Sequence, residues 1–384
     1  MIMKRLLLSA CLCAAVFSTA SCGEKGTDEP NTEEEKNQTE IAFAKGADIS
    51  WCTEMESKGY EFYDNSGTKT ECTALMKALG FNSIRLRVWV NPSDGWCGQN
   101  DVLVKAKRAQ ELGMNIMIDF HYSDSWADPA KQNVPAAWAG YNSLEMANAV
   151  STHTRTVLSA LKAAGVDVTW VAVGNEVEGG MLWPSGKISG SSVGSFVTYL
   201  NAGYDAAKAV YPNASVVLHI SNGWDSSATN WFFDLIKTNG GKYDIIGLSL
   251  YPSYWDESTK SYPDWNAKTK QFVMNVNTLY QTFKHPVMLC EVGMPVSQPE
   301  KAKAMLQYIF DNTKTFDFFK GIFYWEPESE NSGTATLTGP SRTAVPQPPS
   351  TRSLITEIYG HSKHLRSVAT VNRGPRPAPE AARQ

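Results

Sequence analysis

Two runs in this chain end in a carboxylate at the point where a strand would stop. Val171-Ala172-Val173-Gly174-Asn175-Glu176 is apolar and β-branched, then small, then an amide and an acid. His285-Pro286-Val287-Met288-Leu289-Cys290-Glu291 is a second apolar run closed by an acid. A buried parallel strand reads this way and releases polar groups at its C-terminal end. In a (β/α)8 barrel that end is the catalytic face. Taken alone, Asn175-Glu176 would serve equally well as a cap of the next helix. Two glutamates at the ends of two strands are the arrangement that glycoside hydrolysis needs, one as acid/base and one as nucleophile or base.

The rest of the chain supplies elements to hold such a pair. Strand-like runs are predicted at 41–49, 83–89, 115–122, 215–220, 243–251 and 321–325, besides the two already named. Helix-like stretches fall between them at 70–80, 101–113, 144–164, 195–211, 229–238, 268–283 and 300–312, with Gly80 and Gly113 as stops. Eight strands alternating with helices through about residue 330 form the (β/α)8 pattern, a single catalytic domain over 41–330. In Ser83 to Trp89 the alternation puts Ile84, Leu86 and Val88 on one face and Arg85, Arg87 and Trp89 on the other. Two arginines inside a barrel are costly without partners, so acids are expected to face them at the catalytic end. His121 shares a strand end with Asp119, and the polar, aromatic loop after them contains Trp126. A structural histidine and a catalytic one both fit that position.

Net charge is −4, which argues against a nucleic-acid partner. The 12 Trp and 15 Tyr serve either the core or a cleft in which ring faces stack on sugars. At the N-terminus Lys4-Arg5 precede an apolar run, Leu6 to Phe17, too short to span a membrane as a mature helix. Thr19-Ala20-Ser21-Cys22 resembles a bacterial lipobox that departs from the pattern at Thr19. Residues 1–21 are therefore expected to be a signal peptide and Cys22 an acylated residue; plain cleavage near Ser21 is the alternative. Residues 22–40 are polar and acidic and are expected to be a disordered tether. Cys52 and Cys97 follow strand-like runs, and an exported protein can keep a disulfide between such loops. Cys72 and Cys290 read as buried and inert. No Cys/His spacing resembles a zinc site, so neither metal nor cofactor is expected.

The series of strand ends resembles glycoside hydrolase family 53. It consists of Gly46-Ala47-Asp48, Arg85-Leu86-Arg87-Val88-Trp89, Asp119 to Asp124 with Trp126 to Pro129, and Gln132 to Pro135. It continues with Val173 to Glu176, Asn222-Gly223-Trp224-Asp225, Ser249 to Pro252 and Tyr324 to Pro327. The resemblance implies an endo-β-1,4-galactanase that cuts galactan side chains of pectin and arabinogalactan with retention of configuration. It implies Glu176 as acid/base and Glu291 as nucleophile. Arg87, His121, Asn175, Tyr251 and Trp325 match positions around the sugar at the point of cleavage, and Asp119, Trp126 and Trp224 are further candidates for substrate contact. Several bacterial members carry a calcium-binding insertion after strand seven. Gly293 to Pro299 is short here and has no Asp-rich loop, so no calcium is expected.

On this reading Glu176 stays protonated in apolar surroundings beside the charge of Glu291, while Arg87 or Tyr251 keeps Glu291 ionised. The protein is expected to be monomeric and held at the outer membrane or cell surface by its lipid, with β-1,4-galactan as its partner. Two rivals remain: a mannanase or cellulase of the same clan, and a non-catalytic glycan-binding lipoprotein. After Glu330 the chain turns rich in Gly, Thr, Ser and Pro. Residues 331–384 are expected to be a disordered tail. The order of codons permitted by Ser332 to Ser353, read one frame on, matches the family's closing Trp-Asn-Gly, Gly-Ala-Phe and Thr-Ala-Ala-Leu-Asp-Ala-Phe steps, so the tail is expected to be a frameshift product; a genuine divergent tail is the alternative.

Overall fold

The apolar runs pair side by side in chain order and close into a ring. In the computed structural model the parallel strands are β1 (Ala44–Asp48), β2 (Ser83–Val88), β3 (Asn115–Phe120), β4 (Trp170–Val173), β5 (Ser215–Ile220), β6 (Ile245–Leu250), β7 (Val287–Val292) and β8 (Phe319–Trp325). Strand β8 returns to pair with β1, so the barrel has no edge. The structure describes residues 43–64, 66–253, 260–295, 297–329 and 372–373. The signal peptide with Cys22, the tether and, apart from 372–373, the tail lie outside the described residues.

Between the strands run α1 (Cys52–Ser57), α2 (Cys72–Ala78), α3 (Gln99–Glu111), α4 (Ser143–Ala163), α5 (Gly194–Val210), α6 (Ser226–Thr238), α7 (Trp265–Phe283) and α8 (Pro299–Thr313). Half of these helices, α2, α4, α6 and α7, start at a side-chain cap. Asn142 and Glu145 form a reciprocal capping box on α4, and Asp225 and Asp264 accept from the first-turn N–H groups of α6 and α7. The cap at Asp225 is why α6 opens at Ser226, three residues before the apolar periodicity begins. The short helix α1 has no apolar period to announce it.

The core has two layers. Ile84, Leu86 and Val88, with their equivalents on the other strands, pack outward under the helices. Ala44, Met117, Trp170, Ala172, Val217, Met288, Cys290 and Phe323 fill the barrel itself. Trp170 meets Phe323 edge-on at 5.8 Å. Above this apolar plug the interior turns polar, and the two arginines of β2 point into it, as the alternation requires.

The expected Cys52–Cys97 disulfide is absent: both thiols are free and buried. Cys52 opens α1 and its sulfur lies against Cys72 of α2. Cys97 instead turns its thiol to the Ser50 carbonyl oxygen at 3.7 Å, while its backbone N–H donates to Asp101. The two loops are tied by a cation. Lys105, fully buried on α3, donates to the Ser50 carbonyl at 2.7 Å and pairs with Asp101 at 2.6 Å.

Candidate active site

Strand β4 stops at Val173 because the next residues turn. Gly174 has φ +86°, and a Cβ there would lie 2.6 Å from Val177, so only glycine fits. Glu176 itself takes φ +49° and is half-buried at the mouth of the barrel. Gln132 holds this turn by donating to the carbonyls of Asn175 and Glu176.

Glu291 reaches the same cavity by an irregularity. Leu248 pairs with Leu289, but the next pair is Ser249 with Glu291. The one-residue slip leaves Cys290 as the extra residue. Cys290 already faces the interior, so strict alternation would send Glu291 outward with Leu289; the bulge turns it inward instead.

Once there, the two carboxyls have different neighbours. Glu291 pairs with Arg85 Nη1 at 3.0 Å and accepts from the Tyr251 hydroxyl. Burial pushes its pKa up, while Arg85 and Tyr251 oppose that rise. Among the described residues no cation is in salt-bridge contact with Glu176. Burial raises it well above the usual carboxylate range, and the charges of Glu291 and Glu178 add to the rise. Glu291 therefore gives up its proton before Glu176 does.

A chain of hydrogen bonds runs from Arg85 toward Glu176. Arg85 Nη2 donates to Asn175 Oδ1 at 2.8 Å, and Asn175 Nδ2 donates to the Ala127 carbonyl at 2.9 Å. These contacts fix which end of the amide is oxygen. His219, which burial lowers to about 3 and so keeps neutral, must then donate from Nδ1 to that oxygen at 3.0 Å. Its Nε2 is left as an acceptor for the Ser249 hydroxyl at 2.8 Å. Ser249 is also in hydrogen-bond contact with Glu176, a contact that lowers the carboxyl's pKa against the rises from burial and neighbouring charge.

Arg85 is the centre of the polar layer. It binds Asp48 at 2.7 Å and Asp119 at 2.8 Å besides Glu291. Asp119 is held below the usual range, its burial outweighed by Arg85 and His121. His121 donates from Nε2 to Asp119 at 3.1 Å, and its Nδ1 accepts from Ala127 N and Trp89 Nε1. Burial lowers its pKa, which leaves it neutral. Arg87 pairs with Glu326 and lies 4.2 Å beneath the Trp126 ring. The cation that keeps Glu291 ionised is thus Arg85, and Arg87 is occupied on the β8 side.

The expected sugar-binding residues divide into two tiers. Arg87, His121 and Asp119 are buried, with Asp119 fully enclosed, so they position other groups from below. Trp126, Trp325 and Tyr251 are half-buried at the mouth and meet edge to face, Trp126 to Trp325 at 6.3 Å and Tyr251 to Trp325 at 6.1 Å. Asn175 uses one amide N–H on Ala127, which leaves the second for a ligand hydroxyl. Trp224 stands apart, with Lys268 4.3 Å over its ring and its Nε1 donating to Asn222. Sequence reasoning missed Arg85 as a partner of Glu291, gave Ser249 no role beyond its place in the family-like series, and missed His219 and Glu178 altogether. Glu178, two residues after Glu176, accepts from the Ser221 hydroxyl and backbone N–H. Its spacing from Glu176 was the one available signal. Among the described residues no group of three or more His, Cys, Asp or Glu is placed to hold a metal ion.

A parallel eight-stranded barrel with two glutamates in unequal electrostatic surroundings at its C-terminal mouth, rimmed by aromatic rings, defines a glycosidase of the two-carboxylate class. The chain belongs to glycosyl hydrolase family 53, whose profile matches residues 44–347. It is 33% identical over 310 residues to a protein of Neosartorya fischeri described as a probable arabinogalactan endo-beta-1,4-galactanase A, covering 74% of this chain and 83% of that one. It is 27% identical to the arabinogalactan endo-beta-1,4-galactanase of Thermothelomyces thermophilus, covering 74% and 89%. Among solved structures, the catalytic domain from Ignisphaera aggregans superimposes with a TM-score of 0.66 at 28% identity, covering 74% of this chain and 84% of that one. A fungal beta-1,4-galactanase gives the same TM-score at 27% identity, covering 73% and 88%.

Proposed function

We propose that this protein is a retaining endo-β-1,4-galactanase, with Glu176 as acid/base and Glu291 as nucleophile. The observation that carries the reading is the unequal environment of the two carboxyls in a family 53 barrel. Glu291 attacks the anomeric carbon, and the bond to the leaving oxygen breaks as Glu176 gives that oxygen its proton. Glu176 then takes a proton from water, which displaces Glu291 and restores both groups. Asn175 donates its spare N–H to the sugar's 2-hydroxyl, a contact that strengthens in the transition state. Trp325, Trp126 and Tyr251 present ring faces and edges to the sugars on either side.

A non-catalytic binder would have no use for two carboxyls tuned apart, which disfavours that rival. The mannanase and cellulase alternatives lack the support that family membership lends to galactan. The lipobox-like run supports acylation of Cys22 and an envelope location, at the outer membrane or cell surface. A monomer is sufficient, because every group in the proposed mechanism comes from one chain.

Two measurements test the roles. Glu176→Ala should slow galactan hydrolysis far more than the first step of an activated aryl galactoside, whose leaving group needs little acid help. Equal loss on both substrates removes Glu176 as the acid. The second is a pH profile. Activity requires protonated Glu176 and ionised Glu291, so kcat/KM falls as pH rises through the first pKa and as pH drops through the second. Ser249→Ala removes a contact that lowers the Glu176 pKa, so the alkaline limb should move to higher pH. A move to lower pH would mean that Ser249 accepts from a protonated Glu176.

A further inference from the structure

A second concave site lies outside the catalytic mouth. It is a groove of about 580 Å3 between α4 and the loop that joins β3 to it. That is within the roughly 300–1,000 Å3 of small-molecule sites. The loop contributes Trp138 and Tyr141, and Tyr141 is 41% exposed. Helix α4 contributes Glu145, Asn148 and Thr152, which step by three and four residues and so line one face. His153 completes the wall. Its Nε2 is buried without a hydrogen-bond partner, and its ring meets Trp138 edge-on at 6.1 Å.

None of these side chains takes part in the catalytic centre, but the loop does. Its earlier residues Ala127 and Gln132 hold Asn175 and the backbone of Glu176. Asp124 pins the same loop by accepting from Asn91 N and Ala136 N. The groove therefore lies across one braced loop from the cleft, at the same end of the barrel. Aromatic surface beside an amide, a hydroxyl and a carboxylate suits a sugar, which has an apolar C–H face and a rim of hydroxyls. No lysine or arginine lines the groove, which disfavours an anionic ligand.

We propose that this groove is a second, non-catalytic saccharide site that holds another stretch of the galactan chain while the cleft cuts. The identity of the polymer rests on the galactanase reading above. Holding one chain at two points raises its effective concentration at the cleft without new catalytic contacts.

The test uses the full chain with Tyr141→Ala, which removes the aromatic platform, and Thr152→Arg, which fills the groove should the first variant fold poorly; melting curves check both. Turnover of β-1,4-galactotetraose should stay within about twofold of the parent, while KM on polymeric galactan rises about 5–10-fold at unchanged kcat. In a Glu291→Ala background, both changes should weaken retardation in native gels cast with galactan. Parent-like KM and retardation in both variants would overturn the proposal. So would a parallel loss on tetraose and polymer, since the groove would then act through the fold. Whether the parent cuts galactan at all reports separately on the galactanase reading, and gel retardation reads the groove in either case.

Discussion

Glu291→Ala is expected to abolish galactan hydrolysis while leaving the barrel folded and able to bind its substrate. Loss of a covalent nucleophile lowers kcat on the order of 10^4–10^6-fold. Folding should survive because the substitution relieves more than it costs. Glu291 is one of three carboxylates around Arg85, and Asp48 and Asp119 remain to balance the guanidinium. Binding should survive because the nucleophile acts mainly in the transition state. Reducing-sugar release, a melting curve and gel retardation in galactan separate the three effects. A folded variant that still releases sugar near the parent rate would take Glu291 out of the mechanism. A variant that fails to fold would return it to a structural role.

The second large effect is expected at Arg85. Arg85→Ala leaves Asp48, Asp119 and Glu291 buried without their shared cation, and removing one partner of a buried ion pair costs about 3–5 kcal/mol. For a domain of this size each kcal/mol lowers Tm by about 2–4 °C, so a fall of about 10 °C is expected. The sign with pH follows from Asp119, whose folded pKa is depressed. Its contribution is present above the unfolded carboxylate pKa and is lost as pH falls through the folded value. The gap in Tm between parent and variant should accordingly be widest near neutrality and close in acid. Activity should fall as well, because Glu291 without Arg85 titrates higher and the acid limb of the pH profile moves up. Arg85→Lys keeps a charge but not the fork that reaches several acceptors, and should lie between the two. A Tm gap that does not narrow in acid would show that Arg85 stabilises by packing rather than by charge.

Much of this was legible in the chain itself. Strand β5 is legible at its observed bounds, 215–220, because a mostly apolar run, broken only by His219 after Ser215, sits between a turn and a polar loop. The inward direction of Arg85 and Arg87 followed from alternation alone, and so did the expectation that acids would meet them. Both glutamates were found because a buried strand must release its polar groups at an end. These are local properties: periodicity, capping and turn chemistry act over a few residues, and a sequence displays them directly.

Only the tertiary structure decided the rest. Which arginine meets Glu291 depends on how high each sits in the barrel, and Arg85 rather than Arg87 lies at the level where Asp48, Asp119 and Glu291 converge. Glu291 faces inward at all because β7 slips by one residue against β6, a slip set by the packing of both strands and written in neither. The disulfide expected from loop position fails because each sulfur found a nearer partner, Cys72 for Cys52 and the Ser50 carbonyl for Cys97. The path from Arg85 through Asn175 and His219 to Ser249 joins residues 85, 175, 219 and 249, on four separate strands or strand ends. No spacing along a chain encodes such a path. The carboxyls are local facts of the sequence, whereas the difference between them comes from burial and charges that only the closed barrel brings together.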